Sequence, residues 1–207
     1  MTAPAFLGRR RRRGGTQFNP LQLFANGEAG AWYDPGDLTA EKVAWRRNLL
    51  TWSEQFDNAA WTKSAGGVGL APVVTANAGV APDGTTTADR VQFDCANTGS
   101  SSNRSQLVQS PAMAIGRPFV GSLYVKAFNA GNIGNTLRFA IDGIGVALVT
   151  LTADWQRVAN TGTASAATAN YIVETRGTVT QQTADVLLWG GQFEPGTTAS
   201  AYQRITD

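Results

Sequence analysis

Alternation of apolar and polar side chains runs through the second half of the chain. Over 119–127, Leu123 and Val125 fall on one face of an extended strand, and their polar neighbours fall on the other. The same period of two recurs over 137–142 and 171–176. A strand with one buried face requires this spacing. The pattern therefore predicts half-buried antiparallel strands.

Further short stretches fit strands, and turn formers separate them. These stretches are 71–76, 87–94, 104–109, 145–151, 155–160, 184–192 and 201–205. Gly190 and Gly191 interrupt one of them and predict a bulge or a close approach of strands. No repeat of fixed period is present, which argues against a propeller or solenoid. The spacing predicts an all-β protein with a β-sandwich of jelly-roll type.

The first 46 residues differ from this pattern. Residues 1–16 contain five consecutive arginines and almost nothing to bury, which predicts a flexible basic arm. Residues 17–46 are rich in aromatic side chains set between turn formers, but they are too few to close a core alone. We expect this adapter segment to dock against the body or another chain. The sandwich domain is predicted to occupy 47–207.

Composition excludes most catalytic centres. The 207 residues include no histidine and one cysteine, Cys95. A Ser-His-Asp or Cys-His centre, His-ligated zinc, a cysteine metal cluster and an internal disulfide are therefore ruled out. The carboxylates are scattered, and no spacing pairs two of them as a glycosidase requires. We expect a protein that is not an enzyme and needs no cofactor; no metal ligand is assigned, and a structural Ca²⁺ stays an open question.

Several stretches together resemble one known architecture. In chain order they are RNLLTWSEQFDNAAWTKS (47–64), VTANAGVAPDGTTTADRVQF (74–93), LTADWQRV (151–158) and LLWGGQFEPGTTASAY (187–202). They resemble carbohydrate-binding-module-like jelly rolls in structural proteins of tailed bacteriophages. The segment LFANGEAGAWYDPGDLT (23–39) resembles the leading segment of phage fibre and spike proteins. The resemblance covers about residues 20–205 and implies an initial strand, a sandwich and a closing strand that brings the termini near each other.

This resemblance implies a virion structural protein, made in the bacterial host cytoplasm, that belongs to a fibre, spike or decoration. Its expected partners are capsid, tail or baseplate proteins and further copies of itself, with a trimer as the family expectation. The sandwich is expected to contact host-surface glycans. A cement protein without sugar binding is the alternative, and a polysaccharide depolymerase ranks below both. The candidates for anchoring the chain to the virion are Arg9, Arg10, Arg11, Arg12, Arg13, Phe18, Leu21, Phe24, Trp32 and Tyr33.

The positive net charge of +2 belongs to the arginine run. Without it the remaining 12 basic and 15 acidic residues give the chain a net charge of −3. No basic face that could track nucleic acid is evident in the body. For the run itself, anchoring in an acidic groove of a neighbouring protein ranks first, a solvated tail second and packaged DNA third. No apolar stretch is long enough to span a bilayer.

Aromatic side chains are the natural candidates for sugar contact, because apolar pyranose faces stack on aromatic rings. Trp155 and Trp189 fall in predicted strands, so we expect them in the core. Trp52 and Trp61 fall in a polar, turn-rich segment and are the glycan-binding candidates. For each of them taken alone, packing in the core or at an interface ranks above sugar contact. Burial of Trp52, Trp61 and the loop aromatics together would favour the cement function.

Overall fold

The computed structural model describes residues 48–96, 99–178 and 181–206. The predicted arm (1–16) and adapter (17–46) lie outside these residues, so their roles stay predictions. The same holds for every anchoring candidate: Arg9, Arg10, Arg11, Arg12, Arg13, Phe18, Leu21, Phe24, Trp32 and Tyr33.

The described residues form two five-stranded antiparallel sheets. Sheet I contains, in spatial order, β1 (Thr62–Gly66), β4 (Arg104–Gln109), β9 (Tyr171–Arg176), β6 (Thr136–Ile141) and β7 (Gly145–Thr150). Sheet II contains, in spatial order, β2 (Leu70–Gly79), β3 (Ala88–Asp94), β10 (Thr183–Pro195), β5 (Pro118–Ala127) and β8 (Gln156–Thr163). A single 3-10 turn, Ala130–Asn132, is the helical element of the described ranges. The predicted all-β jelly-roll sandwich is confirmed.

The core lies between the sheets and follows the predicted alternation. On β6, Leu137 and Phe139 point inward and are buried, and on β9 Tyr171 and Val173 do the same. Phe139 and Tyr171 meet edge to face, with ring centroids 4.9 Å apart. Gly121 of β5 leaves room for this layer, since a Cβ there would come within 2.4 Å of Ile141 Cδ1. Burial of these apolar faces supplies most of the favourable free energy of folding.

Three elements differ from the sequence-based expectation. The edge strand β1 was not predicted, because its half-exposed TKSAG sequence has no apolar alternation. The predicted strand at 201–205 is wrong: these residues form no strand. The initial strand that the resemblance implies is also missing, because residues 48–50 form no strand. The first segment instead bonds to β10, where Leu49 N donates to Phe193 O at 2.7 Å, and it bonds to the final segment, where Ser53 N donates to Ile205 O at 2.9 Å.

The bulge predicted at Gly190 and Gly191 is confirmed. The pairing of β10 with β5 shifts register between Trp189 and Gln192. Gly190 has a φ of +62°, a left-handed conformation that favours glycine. Gly191 N turns away from the ladder and donates to Ser53 O at 2.9 Å. The bulge thus joins β10 to the start of the domain.

Asn48 uses its whole side-chain amide at this junction. Its Oδ1 accepts from Phe193 N at 3.0 Å and from Leu50 N at 3.1 Å. Its Nδ2 donates to Gly191 O at 2.9 Å and to Gln203 O at 3.1 Å. The side chain is buried, and so are its bonds to Leu50 N, Phe193 N and Gly191 O, which place three backbone groups in the interior with Asn48 as partner. One residue therefore ties the start of the domain, the bulge and the final segment together.

We predict that Asn48→Ala lowers the free energy of unfolding by about 2–4 kcal/mol, because it leaves several buried backbone groups without partners. The matched control is Asn129→Ala, which removes an exposed cap of the 3-10 turn and should cost about 1 kcal/mol or less. Urea unfolding of the two variants and the wild type measures both values. Equal losses in the two variants would contradict the role assigned to Asn48.

Candidate functional site

A polar groove lies on the outward face of sheet I, where β1, β4, β9 and β6 run side by side. Its volume is about 540 Å³. We call it the sheet I groove, and its lining residues are Thr62, Ser64, Arg104, Gln106, Val108, Ser110, Asp142, Asn170, Ile172 and Arg176. The groove is lined mostly by hydrogen-bonding side chains, which suits a polar ligand.

The floor of the groove is built on one cross-strand row. Ser64, Gln106, Glu174 and Arg138 are successive partners on β1, β4, β9 and β6, and Leu148 of β7 ends the row. Residues in directly opposite positions have neighbouring side chains on one face of a sheet. The row therefore places a carboxylate between an amide and a guanidinium.

Glu174 is the centre of a buried ion network. Its side chain is 0% exposed and forms an ion pair with Arg138. Gln106 Nε2 donates to Glu174 Oε2 at 2.7 Å, and Arg176 Nη2 donates to the same oxygen at 3.4 Å. Arg176 Nε lies 3.1 Å from Glu174 Oε1. The carboxylate is thus contacted from three sides, and it holds Arg138 and also Arg176, which lines the groove.

The opposite end of the groove carries a smaller polar cluster. Asn170 Nδ2 donates to Asp142 Oδ2 at 2.8 Å. Ser110 Oγ donates to Asn170 Oδ1 at 2.7 Å. Asn170 and Ser110 are exposed, so these groups are open to a ligand. The groove is thus cationic at one end and rich in amide, hydroxyl and carboxylate oxygens at the other.

Trp61, one of the two glycan-binding candidates, is a core residue, as the packing interpretation expects. Its side chain is 1% exposed and packs between Phe56 and Tyr171, at centroid distances of 4.8 and 5.8 Å. Its Nε1 donates to Trp52 O at 2.9 Å. A ring enclosed in this way cannot stack on a sugar. The apolar surface of Trp61 outweighed the polarity of its neighbours in sequence.

Trp52 occupies a different environment. Its side chain is half-buried against the core, and its backbone has a φ of +50°, a strained conformation for a bulky residue. It does not line the sheet I groove. The structure therefore does not join the two candidate tryptophans to the groove, and a role of Trp52 in glycan binding stays a prediction.

The other predicted strand tryptophans lie on the outward face of sheet II. Trp189 is buried there, with Tyr202 and Tyr124 against it at centroid distances of 4.5 and 5.3 Å. Trp155 is half-buried beside this cluster and donates from Nε1 to Val80 O at 3.1 Å. Burial of Trp189 confirms its assignment as a packing residue, although its cluster is separate from the main core.

A smaller cavity of about 210 Å³ brings Glu54, Asp57 and Asp89 to one place. Burial raises the pKa of Asp89 to about 6. A raised carboxyl pKa is one requirement of a glycosidase acid. Both Asp89 oxygens, however, accept backbone bonds, from Phe56 N at 2.7 Å and Asn77 N at 2.8 Å. The geometry favours a structural role, in which Asp89 fixes two loops.

Within 48–96, 99–178 and 181–206, no group of three or more acidic, cysteine or histidine side chains is arranged to bind a metal ion. Those same ranges include no helix that could span a bilayer.

Sequence reasoning missed the residues of the ion network. The signal was present, because Glu174 and Arg176 alternate with apolar residues on a predicted strand and so belong to its outward face. Gln106 occupies an equivalent outward position on the predicted strand 104–109. What the sequence does not reveal is the pairing of β4, β9 and β6 that brings these side chains together.

Comparison with solved structures supports the fold. The enzymatically active domain of tailspike protein 4 from bacteriophage CBA120 matches 72% of this chain at 15% identity, with a TM-score of 0.51. This chain covers 21% of that tailspike chain. At such identity the likeness concerns the fold alone.

Two further similar structures have lower TM-scores. A xylan-binding domain from Paenibacillus barcinonensis matches 74% of this chain and 97% of its own, at 19% identity and a TM-score of 0.45. A carbohydrate-binding module in complex with β-1,4-galactotriose matches 72% of this chain and 99% of its own, at 14% identity and a TM-score of 0.46. No protein-family model and no curated protein matches the sequence.

We predict that Glu174→Gln lowers the free energy of unfolding by about 3–5 kcal/mol, because it leaves two partly buried arginines without their counter-charge. The matched control is Asp185→Asn, which removes the partner of Arg90 in a more exposed pair. That substitution should cost about 1 kcal/mol or less. Thermal and urea unfolding measure both losses. A Glu174→Gln loss no larger than that of the control would show that the buried network is not needed for stability.

Proposed function

We propose that this protein is a virion structural protein of a tailed bacteriophage whose β-sandwich contacts host-surface glycans. In this proposal the chain belongs to a fibre, spike or decoration, is made in the host cytoplasm, and acts by binding without catalysis. Residues 1–46 attach it to other virion proteins, and copies of the chain associate. The likeness of the fold to a tailspike domain supports the phage assignment.

The observation that carries glycan contact is the sheet I groove itself. A sugar presents many hydroxyl groups, and each needs a hydrogen-bonding partner to replace the water it loses. The groove offers such partners, and those of the Glu174 network are already held in place by their neighbours. Fixed partners lower the entropy cost of binding. An affinity that is low at one site rises when a particle displays many copies.

The cement function remains a second candidate, and two observations favour it. Trp61, one of the two aromatic residues expected to reach a sugar, is buried. In addition, Val146 and Leu148 on the edge strand β7 are 52% and 67% exposed. Apolar side chains on an exposed edge strand suit contact with another protein. Measuring whether the protein binds glycans, and where on the particle it lies, distinguishes the two functions.

We predict that the full chain binds host-surface polysaccharide and that the double variant Ser110→Ala, Asn170→Ala binds it at least several-fold more weakly. These substitutions remove two exposed hydrogen-bonding side chains from the groove. The matched control, Thr197→Ala with Thr198→Ala, removes two exposed hydroxyls from the loop after β10 and should bind as the wild type does. Binding is measured on immobilised polysaccharide from the host. Equal binding by both double variants would exclude the groove as the site.

We also predict that deletion of residues 1–46 abolishes incorporation into particles. Immunoblots of purified particles measure incorporation, with the full chain as reference. A variant carrying glutamine at positions 9–13 tests the arginine run separately from the adapter. Truncated protein present at full copy number would contradict the anchoring role.

Immunogold labelling of particles with antibody against 47–207 then gives the location of the protein. A tail-tip signal favours receptor contact, and a signal over the head favours decoration.

A further inference from the structure

Positive charge is in excess at one end of the sheet I groove. Arg104 of β4 and Arg176 of β9 are directly opposite partners, an arrangement in which like charges repel. Glu174 compensates Arg176, but it also pairs with Arg138. Burial and the positive charge of Arg176 lower the pKa of Arg138, and the negative charge of Asp142 opposes this shift to a smaller extent. One carboxylate therefore serves two guanidinium groups before Arg104 is considered.

Arg104 has no acidic partner of its own. Within the described part of the chain, no carboxylate oxygen lies within ion-pair distance of its guanidinium. Its Nε is buried and forms no hydrogen bond. The Nε is enclosed, but Arg104 lines the groove, so the outer nitrogens of its guanidinium can donate to an incoming acceptor. The pair of Arg104 and Arg176 is thus suited to receive an anion.

The position of the Arg104 side chain depends on a glycine. A Cβ at Gly66 would lie 2.5 Å from Arg104 Nε and 2.7 Å from its Cγ. The arginine therefore lies directly across β1, in space that only glycine leaves free. Gly66 is not in the left-handed region, so alanine there would act through contacts: it would meet the Arg104 side chain and, at 2.9 Å, the backbone oxygen of Ser102.

The rest of the groove suits the neutral part of a saccharide. Its lining contains no aromatic side chain in the part of the chain that the structure describes, so ring stacking does not dominate binding. Asp142, with Asn170 and Ser110, lies at the end opposite the two arginines. The six residues of β4 separate the two ends by about 20 Å, at about 3.4 Å per residue.

We propose that the sheet I groove selects acidic saccharides and binds a sugar carboxylate at the Arg104 and Arg176 end. A guanidinium group binds a carboxylate through two parallel hydrogen bonds, which adds direction as well as charge. Hydroxyl groups of the same chain of sugars then face Asp142, Asn170 and Ser110. This inference rests on the proposed glycan function and adds the class of glycan.

Matched pairs of probes test the selectivity with the full chain. The first pair is α-1,4-linked trigalacturonic acid and its reduced neutral counterpart, in which each carboxylate is replaced by a hydroxymethyl group. The second pair is 3′-sialyllactose and lactose. Calorimetric titration should show roughly tenfold or tighter binding of the acidic member of a pair at low salt. Addition of sodium chloride should reduce this preference, since salt screens exposed charges.

Two variants test whether the preference for the acidic probe arises at Arg104. Arg104→Gln should reduce affinity for the acidic probe roughly tenfold and affinity for the neutral probe by a much smaller factor. Its matched control is Arg117→Gln, which removes one positive charge from an exposed residue outside the groove and should change nothing. Gly66→Ala keeps every charge but displaces the Arg104 side chain, so it should weaken acidic binding as well. Gly131→Ala, in the exposed 3-10 turn, is its control.

The outcomes separate this inference from the proposed function. Acidic and neutral probes that bind equally well at the groove would overturn the acidic preference and leave glycan contact intact. Binding of none of the four probes would overturn both. A preference that Arg117→Gln reduces as much as Arg104→Gln would reflect overall charge alone and would also overturn the assignment to the Arg104 end.

Discussion

The rest of the sandwich depends on the hydrogen bonds that the β10 backbone makes around Gly190 and Gly191. Up to Leu188 this strand pairs with β3, but beyond the bulge its free side is bonded by residues 48–53. Asn48 supplies donors and acceptors to both the bulge and the final segment. The start and end of the described domain are therefore held to a central strand instead of extending the sheet. Because no ladder is formed there, loss of a single side chain affects several buried backbone groups at once.

Closure of the core in this way lets the outward face of sheet I be polar. The inward faces of β6 and β9 hold large apolar side chains, so their outward faces do not have to supply the core. A carboxylate as buried as Glu174 is tolerated on that face only because an amide and two arginines contact it. The result is a rigid polar floor. Such rigidity is useful to a binding surface, since its groups need little reordering when a ligand arrives.

The sequence was informative wherever burial has a local signature. Period-two alternation identified most strands, and the Gly190-Gly191 pair identified the bulge. Sequence-based prediction failed where the decisive contacts are distant in sequence. β1 is a strand because it pairs with β4. Residues 201–205 form no strand because their backbone hydrogen-bonding groups bind Ser53 and Asn48 instead. Trp61 is buried by a ring from β9, Tyr171, that lies 110 positions away. The groove was missed for the same reason, because strand pairing rather than composition brings its residues together.

The distribution of aromatic and charged side chains between the two sheets has a consequence for recognition. On sheet II the outward aromatic residues are largely covered: Trp189 packs against Tyr202, and Trp155 donates to the loop at Val80. On sheet I the groove is lined mostly by polar side chains, and Glu174 holds Arg138 and Arg176 in place. A saccharide bound there would be recognised through hydrogen bonds and charge, which are directional and sensitive to the pattern of hydroxyl and carboxyl groups. Selectivity would then come from the chemistry of the sugar more than from apolar area, and adhesion strength from the number of copies on a particle.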